Sequence, residues 1–551
     1  MRRYLTILFW LATCSQALAQ ETLRAAMYLS GASSEEEVPE AYVELVENSP
    51  RIRVNGKHLR PGLLSDYQIA SLADYRALHG DVLSFEELAL VDGFGAEAVD
   101  ALRPFLSLES SRLPGNRDTV KVKALALLRG TLTTGLGTKG RVSGENWRAG
   151  GAWRSGGGSF YGEYTGRWGR VLVGDYNLRY GQGLACWTGF SMSSLSTVEA
   201  FVLKPSGITP AWSYTPADNR GAAYEYSSRH LRAAVFASLQ GNFGAHADWF
   251  WRRGQVGGTV LVNTTGQASG AIIPGSDRVS VSLDGRYNVR GADLAWEAAY
   301  KQKSFAAKAA FRIPLGPFRV AVQGRGIPSK FSGKKYGEYG LSAGMAYKSP
   351  KWQTLAGKTG FGSSVPRYQA SLTLDASLLP VPEVDPRRFQ LRVYGTLLWQ
   401  LHPAWALELR VTERYRNYEA PRTSLRTDLR LGIGPSWLST LRAEAVHCLK
   451  IGLLGYWESG YKGKALAGYL RITGFSVPQW DDRIYCYERD APGTFSVPAY
   501  YGEGAAFSLV GSWKHRFGRW VTLRLNARGA YMIRRDREPV PTLNLQLQAE
   551  L

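Results

Sequence analysis

Apolar and polar residues alternate one by one in segment after segment of this chain, and that pattern leaves little choice of backbone. Trp405, Leu407, Leu409 and Val411 alternate with Ala406, Glu408, Arg410 and Thr412. Leu425, Thr427, Leu429 and Leu431 alternate with Arg426, Asp428 and Arg430, and Phe389 to Val393 follows the same rule. Val521, Leu523, Leu525 and Ala527 alternate with Thr522, Arg524, Asn526 and Arg528, and Leu543 to Leu551 alternates to the final residue. A period of two places neighbouring side chains on opposite faces of a strand. Such segments recur from residue 119 to residue 551 with no helical pattern between them, which is too long for one sandwich. The polar face carries arginine, as the wet interior of a membrane barrel does. A barrel that closes on itself leaves no backbone group unpaired in lipid. We therefore expect a large antiparallel transmembrane β-barrel of about 22–26 strands. Glycine-rich turns such as Arg154 to Ser159 separate the strands.

The first residues, MRRYLTILFWLATCSQALAQ, have the parts of an export signal. Arg2 and Arg3 precede an apolar stretch, Leu5 to Leu11, and Ala17-Leu18-Ala19 is a small-residue cleavage site. Residues 1–19 are thus expected to be removed, and the barrel to lie in an outer membrane in contact with its lipid. The segment Leu11-Ala12-Thr13-Cys14 matches a lipoprotein signal only loosely, because Thr13 is a poor residue before the cysteine. No later stretch is apolar for the ~20 residues a membrane helix needs. Abundant Gly, Tyr and Trp (61, 29 and 17 residues) suit strands, turns and interfacial aromatic girdles. Cys186, Cys448 and Cys486 remain after cleavage, an odd number that excludes a complete disulfide framework. No C-x-x-C pair exists and the seven histidines are scattered singly, so neither a metal nor another cofactor is expected.

Charge divides the chain in two. Residues 20–108 hold seven basic and fifteen acidic side chains, a net charge of −8. The formal net charge of +21 falls to +19 once Arg2 and Arg3 are removed, so residues 109–551 carry +27. The polar segment 109–118, with Pro114 and Gly115, has linker composition. A basic half of this size attracts a polyanion, or its charges line a wet lumen and decorate loops.

The acidic part has helical signals. Residues 20–50 form an acidic segment with a short helix over 35–47, whose Tyr42, Leu45 and Val46 share a face. In residues 51–108, Ser65 caps a helix over Asp66–His79 that Gly80 stops, and Ser84 caps a second with Glu87 in the capping-box position. Asp92-Gly93-Phe94-Gly95 is a tight turn before a third helix, from Ala96 to about Arg103, ended by Pro104. The runs Leu72 to Arg76, His79-Gly80, Ser84 to Leu88 and Val91 to Gly95 resemble the tandem helix-hairpin-helix domain of ComEA-type competence proteins. The resemblance covers roughly 50 residues. In that family the Gly-x-Gly turn presents backbone N–H groups to a DNA phosphate, which implies a DNA contact at Gly93, Phe94 and Gly95, with Lys57 and Arg60 as the nearby basic residues. The first hairpin departs from the pattern, since Gly62-Leu63-Leu64-Ser65 lacks the second glycine. Residues 51–108 are also acidic, which opposes DNA binding. With its barrel, the chain resembles helix-hairpin-helix-containing outer-membrane proteins of the Bacteroidota, also through the segments Gly174 to Leu184, Asp482 to Asp490 and Phe495 to Gly502.

Two polar clusters interrupt the barrel pattern. Asp175, Arg179 and Gln182 lie in Gly174–Gly183, and Asp482, Arg483, Glu488 and Arg489 lie in a second dense cluster. The first is expected inside the lumen as a constriction or an inward-folded loop, and because buried charges need partners, the two clusters are expected to pair across the lumen. Gly135-Leu136-Gly137-Thr138-Lys139-Gly140 fits G-x-G-x-x-G but lacks a following helix, and reads as a turn rather than a nucleotide site. Trp513 to Arg516 and Arg534 to Arg537 read as turns or loops between strands. No nucleophile or acid–base spacing supports catalysis, so an enzyme is not expected. Two functions remain open. One is DNA uptake or macromolecule translocation, with the hairpin module in the periplasm. The other is a transport or assembly scaffold, whose acidic module docks a periplasmic protein or plugs the barrel.

Overall fold

The computed structural model describes residues 17–550 except 50, 57–58, 60–61, 110–121, 133–134, 145, 189–194, 265–278, 290, 350–366, 382–383, 403, 434–435, 464, 492–495 and 519–520. Among the described residues, twenty-four antiparallel strands form one closed ring, from Lys123–Thr131 to Arg537–Glu550. The ring closes where the last strand pairs with the first, Leu547 opposite Leu128. Closure satisfies every strand edge, which is the condition for strands to cross lipid. A short strand, Gly207–Pro210, stands off the ring and pairs with the end of Gly169–Arg179. No helix among the described residues is long and apolar enough to cross a membrane.

The alternation sets the two faces. Leu425, Leu441, Leu453, Leu470 and Leu509 are exposed on the outside of neighbouring strands. Between them Arg426, Asp428, Arg442, Glu458 and Arg471 are buried inside. An apolar exterior around a charged interior is the inverse of a water-soluble domain, and only a hydrocarbon surrounding makes that exterior stable. Trp249, Trp399, Trp405, Trp437 and Tyr461 are exposed near the rim that carries the ends of the barrel sequence, as an interfacial aromatic girdle requires. Connections on that rim are mostly short, with 349–367 the exception. The opposite rim carries the long connections 180–218, 264–278, 328–337, 379–388 and 478–501.

Among the described residues, the N-terminal module contains five α-helices: α1 (Ala17–Ser30), α2 (Glu40–Asn48), α3 (Asp66–His79), α4 (Phe85–Leu88) and α5 (Gly95–Leu102). Ser65 accepts from the Gln68 backbone N–H while the Gln68 side chain accepts from Ser65 N–H, a full capping box that starts α3. Ser84 caps α4 by accepting Glu87 N–H, while the Glu87 carboxylate accepts from Leu83 N–H, one residue before the position a full capping box uses. Gly93 takes φ +83° in the turn before α5, a conformation that favours glycine. Ile52–Arg53 pairs in parallel with Leu106–Ser107, and Asn55 ties the loop at Val82 by two hydrogen bonds of 2.9 Å. Leu23, Val46, Leu64, Leu72, Leu88, Phe94 and Leu102 share one buried apolar core.

Four expectations change. The helix expected over 35–47 is a 3₁₀ turn, Glu35–Glu37, followed by α2, because Pro39 forces Val38 into extended backbone. Gly135 to Gly140 is not a turn but the start of strand Gly135–Ser143, whose glycines hid the alternation. Trp513 to Arg516 lies inside the strand Gly502–Phe517. Helix α1 was not expected, and the cleavage site after Ala19 falls in its first turn. The remainder of the expected signal, residues 1–16, and the linker from residue 110 lie outside the described residues, as do Lys57 and Arg60.

Candidate functional site

The module lies inside the ring, and acidic groups on its surface face basic groups on the wall. Five module carboxylates engage wall cations. Glu36 bridges Arg426 at 3.0 Å and Arg442 at 2.6 Å. Glu97 bridges Arg319 and Lys348, the latter at 2.7 Å. Asp66 pairs with Arg232, Asp74 with Arg229 at 2.7 Å, and Glu44 with Lys139 at 3.7 Å. Apart from Arg229, which is in a turn, these cations stand on the second, seventh, thirteenth, fourteenth, eighteenth and nineteenth strands of the ring. In each of these pairs the module supplies the acid.

Hydrogen bonds to uncharged acceptors of the module complete the attachment. Arg148 donates to the Asn48 carbonyl at 3.1 Å and Tyr161 to the Asn48 side chain at 2.9 Å. Arg141 donates to the Glu47 carbonyl at 3.0 Å, and Arg410 to the Ser33 carbonyl at 2.9 Å. Residues 66–102 meet the wall near the rim of the barrel ends, through Arg229, Arg319 and Lys348. Residues 28–42 lie deeper, against the inward-folded segments 195–212 and 484–491. Gly31 packs so closely on Ala200 that a side chain there would clash, Lys204 stacks on Tyr28, and Tyr487 N–H donates to Glu36 at 3.3 Å.

The Glu36 centre is the most heavily charged part of this interface. Asp428 sits between the same two arginines, at 2.7 Å from Arg426 and 2.5 Å from Arg442. Register explains the density: Asp428 is directly opposite Arg442, and Arg410 directly opposite Arg426. Burial pushes the Glu36 carboxyl up, but Arg426 and Arg410 outweigh it and hold it below the usual carboxylate range. Glu97 behaves likewise: burial opposes, and Arg319 and Lys348 prevail. Glu44 differs. Burial pushes it up to about 7, with Lys139 only partly opposing.

The structure gives the two expected clusters separate partners. Asp175 is buried, paired with Arg220 at 2.9 Å and accepting Phe160 N–H at 2.8 Å. Arg179 is buried beneath the Tyr42 ring of α2, 4.4 Å from its centroid. The Gln182 side chain accepts Leu203 N–H at 3.0 Å, while its backbone N–H donates to Glu297 at 2.6 Å. Asp482 accepts the N–H groups of Cys448, Leu449 and Lys450 at 2.7–3.0 Å, capping that turn. Arg483 lies outside on Trp480 and Tyr485. Glu488 pairs with Arg528, and Arg489 with Glu458 at 2.7 Å. Among the described residues no ion pair joins one cluster to the other. Each cluster instead folds its own connection inward, where both meet the module. Sequence reasoning missed Glu36, Arg426 and Arg442; the signal was the Glu35-Glu36-Glu37 run set against alternating arginines.

Gly93 and Phe94 face the module, while Gly95 is open. A side chain at Gly93 would lie 2.8 Å from the Tyr67 ring, the Gly93 carbonyl accepts from Gln68 at 2.9 Å, and Phe94 is buried in the module core.

No protein-family model matches the chain, and no curated protein matches it in sequence. Solved barrels resemble it distantly. OccK1 (OpdK) of Pseudomonas aeruginosa is 9% identical with a TM-score of 0.31, over 78% of this chain and 98% of that one. The E. coli ferric-catecholate import receptor Fiu is 10% identical with a TM-score of 0.32, over 79% and 82%. A chain of the E. coli P pilus tip assembly intermediate PapC-PapD-PapK-PapG is 12% identical with a TM-score of 0.38, over 80% and 62%.

Proposed function

We propose that this chain is a non-enzymatic outer-membrane transport barrel held closed by its own acidic N-terminal module. The observation that carries the reading is the charge-matched attachment of that module at points spread around the ring, with Glu36 and Glu97 each bridging cations of two adjacent strands. A module fixed on several sides of a lumen blocks passage, and its release opens a basic conduit. The short connections on the rim of the chain ends support a periplasmic side for that rim, where a periplasmic partner would reach residues 66–102. DNA capture through Gly93–Gly95 has less support, because Glu97 in the first turn of α5 puts an acid beside the N–H groups a phosphate needs.

Conductance across a planar lipid bilayer tests the proposal. The full chain is expected to conduct rarely, and a full-chain variant carrying Glu36→Ala, Asp66→Asn and Glu97→Ala to open often, with anion selectivity. Equal conductance of the two proteins, both correctly folded by heat-modified electrophoresis, would refute it.

A further inference from the structure

Near the rim opposite the chain ends, three arginines of adjacent strands stand in one cross-strand row. Arg392 is directly opposite Arg414, and Arg414 directly opposite Arg422. The strands are Phe389–His402, Trp405–Arg416 and Glu419–Ile433, and all three residues share the lumen face with the buried Gln390, Arg410 and Arg426. Adjacent strands lie about 4.8 Å apart, so the row sets three guanidinium groups side by side.

Like charges directly opposite one another destabilise a sheet, and nearby carboxylates do little to offset these. Among the described residues, neither Arg392 nor Arg422 lies within ion-pair distance of a carboxylate. Asp375, opposite Arg392 on its other side, is turned to Arg325 at 2.8 Å. Glu419 comes within 3.9 Å of Arg414 but is engaged by Arg416 at 2.7 Å. Arg392 donates to Gln390 at 3.2 Å, and Arg422 to the carbonyls of Asp481 and Arg483. Those bonds hold the side chains in place without neutralising them. The Arg414 side chain keeps 37% of its surface open.

A second row gives the comparison. Four residues deeper, Arg410 and Arg426 are also directly opposite one another; there Glu36 of the module pairs with Arg426 and bridges on to Arg442, while Arg410 donates to the Ser33 carbonyl. Crowded lumen arginines therefore take a carboxylate where the module reaches them, and at the mouth they are presented to the lumen. We propose that Arg392, Arg414 and Arg422 form a binding site for an oxyanion with at least two negative charges, of the phosphate or phosphate-ester class, at the outer mouth of the conduit. Forked guanidinium donors suit such an oxyanion, and adjacent forks allow more than one to engage it. The site does not depend on the module acting as a gate.

The test is calorimetric titration of the purified full chain in detergent with inorganic pyrophosphate at low ionic strength, against Arg414→Gln and Glu36→Gln. Saturable binding is expected that weakens with salt, falls tenfold to a hundredfold in Arg414→Gln, and is unchanged in Glu36→Gln. Arg392→Gln is the second variant if Arg414→Gln fails to fold. Thermal melting adds an independent readout: removing one of three like charges leaves the apo melting temperature unchanged or higher, while the upward shift caused by pyrophosphate disappears. No binding at low salt overturns the proposal. So does full affinity in Arg414→Gln, or binding that appears or tightens only in Glu36→Gln, which would place the anion at the deeper row.

Discussion

Replacing Glu36 by alanine isolates the strongest single link between module and wall. The variant loses two charge-assisted hydrogen bonds, 2.6 Å to Arg442 and 3.0 Å to Arg426, and one from Tyr487 N–H. Each charge-assisted bond contributes ~1.5–3 kcal/mol, and removing one partner of a buried pair costs ~3–5 kcal/mol. Asp428 stays between the two arginines, so the low end applies. A loss of about 3 kcal/mol raises the opening equilibrium of this region by roughly a hundredfold. The chain carries its own reporter. Cys486 is buried beside Glu36, its Sγ 3.7 Å from Arg442. In a Cys186→Ser, Cys448→Ser background, the labelling rate of Cys486 by a thiol reagent measures that opening. Asp74→Asn is the control, because its partner Arg229 is 54% exposed and such a pair contributes at most ~1 kcal/mol, roughly fivefold. A Glu36→Ala rate within threefold of wild type, or no greater than that of Asp74→Asn, would refute the reasoning.

Gly93→Ala should loosen the module more than Gly95→Ala. Both positions have positive φ and cost ~1–2 kcal/mol on that account, but only at Gly93 does the new carbon meet the Tyr67 ring, at 2.8 Å, and limited proteolysis of residues 21–108 reads the difference. The attachment should also respond to pH through Glu44. Its docked pKa, about 7, lies above the ordinary 4.5, so the docked state binds the extra proton: this stabilisation is full below about 4.5 and is lost as pH rises to about 7. Lowering the pH across that window should slow Cys486 labelling, and Glu44→Gln should remove that part of the dependence. On the outer face, Leu283→Arg should destabilise the barrel by ~2–4 kcal/mol in urea unfolding from lipid vesicles, because Leu283 is exposed in mid-strand. Leu283→Val should cost under ~1.5 kcal/mol.

The barrel was legible because one physical rule, period two with lipid on one face and charge on the other, repeats in strand after strand. The expected range of 22–26 strands spans the observed twenty-four for the same reason. The rule weakens where side chains vanish or where a strand leaves the membrane. Gly135 to Gly140 lost its alternation to glycine, and Trp513 to Arg516 looked like a loop because charges return beyond the aromatic girdle. The caps of α3 and α4 were legible because Ser65 and Ser84 act within three residues. Partners distant in sequence were not. Glu36 meets Arg442 across 406 positions, a contact that only ring closure creates. The charge split did point to its kind, since an acidic unit beside a basic lumen has one favourable arrangement.

That arrangement also determines how the module can leave. The fully buried members of the apolar cluster that contains the module's core are residues 23–106 and Trp187, and from the barrel connections only Leu203 and Tyr487 pack on it as partly buried apolar neighbours among the described residues. The module thus brings its hydrophobic stabilisation with it, and what joins it to the wall is mainly charge and hydrogen bonds. Separation as a folded body exposes little apolar surface, so the hydrophobic effect does little to resist it. Local unfolding would sacrifice the core as well, so it is the costlier route. The partly exposed pairs, Asp74–Arg229 and Glu97–Lys348, lie at the rim of the chain ends and are screened by salt more than the buried ones. The buried Glu36 centre is screened far less. On the proposed reading, release begins at that rim, where a partner would have access, and is completed only when something compensates Arg426 and Arg442 for the loss of Glu36.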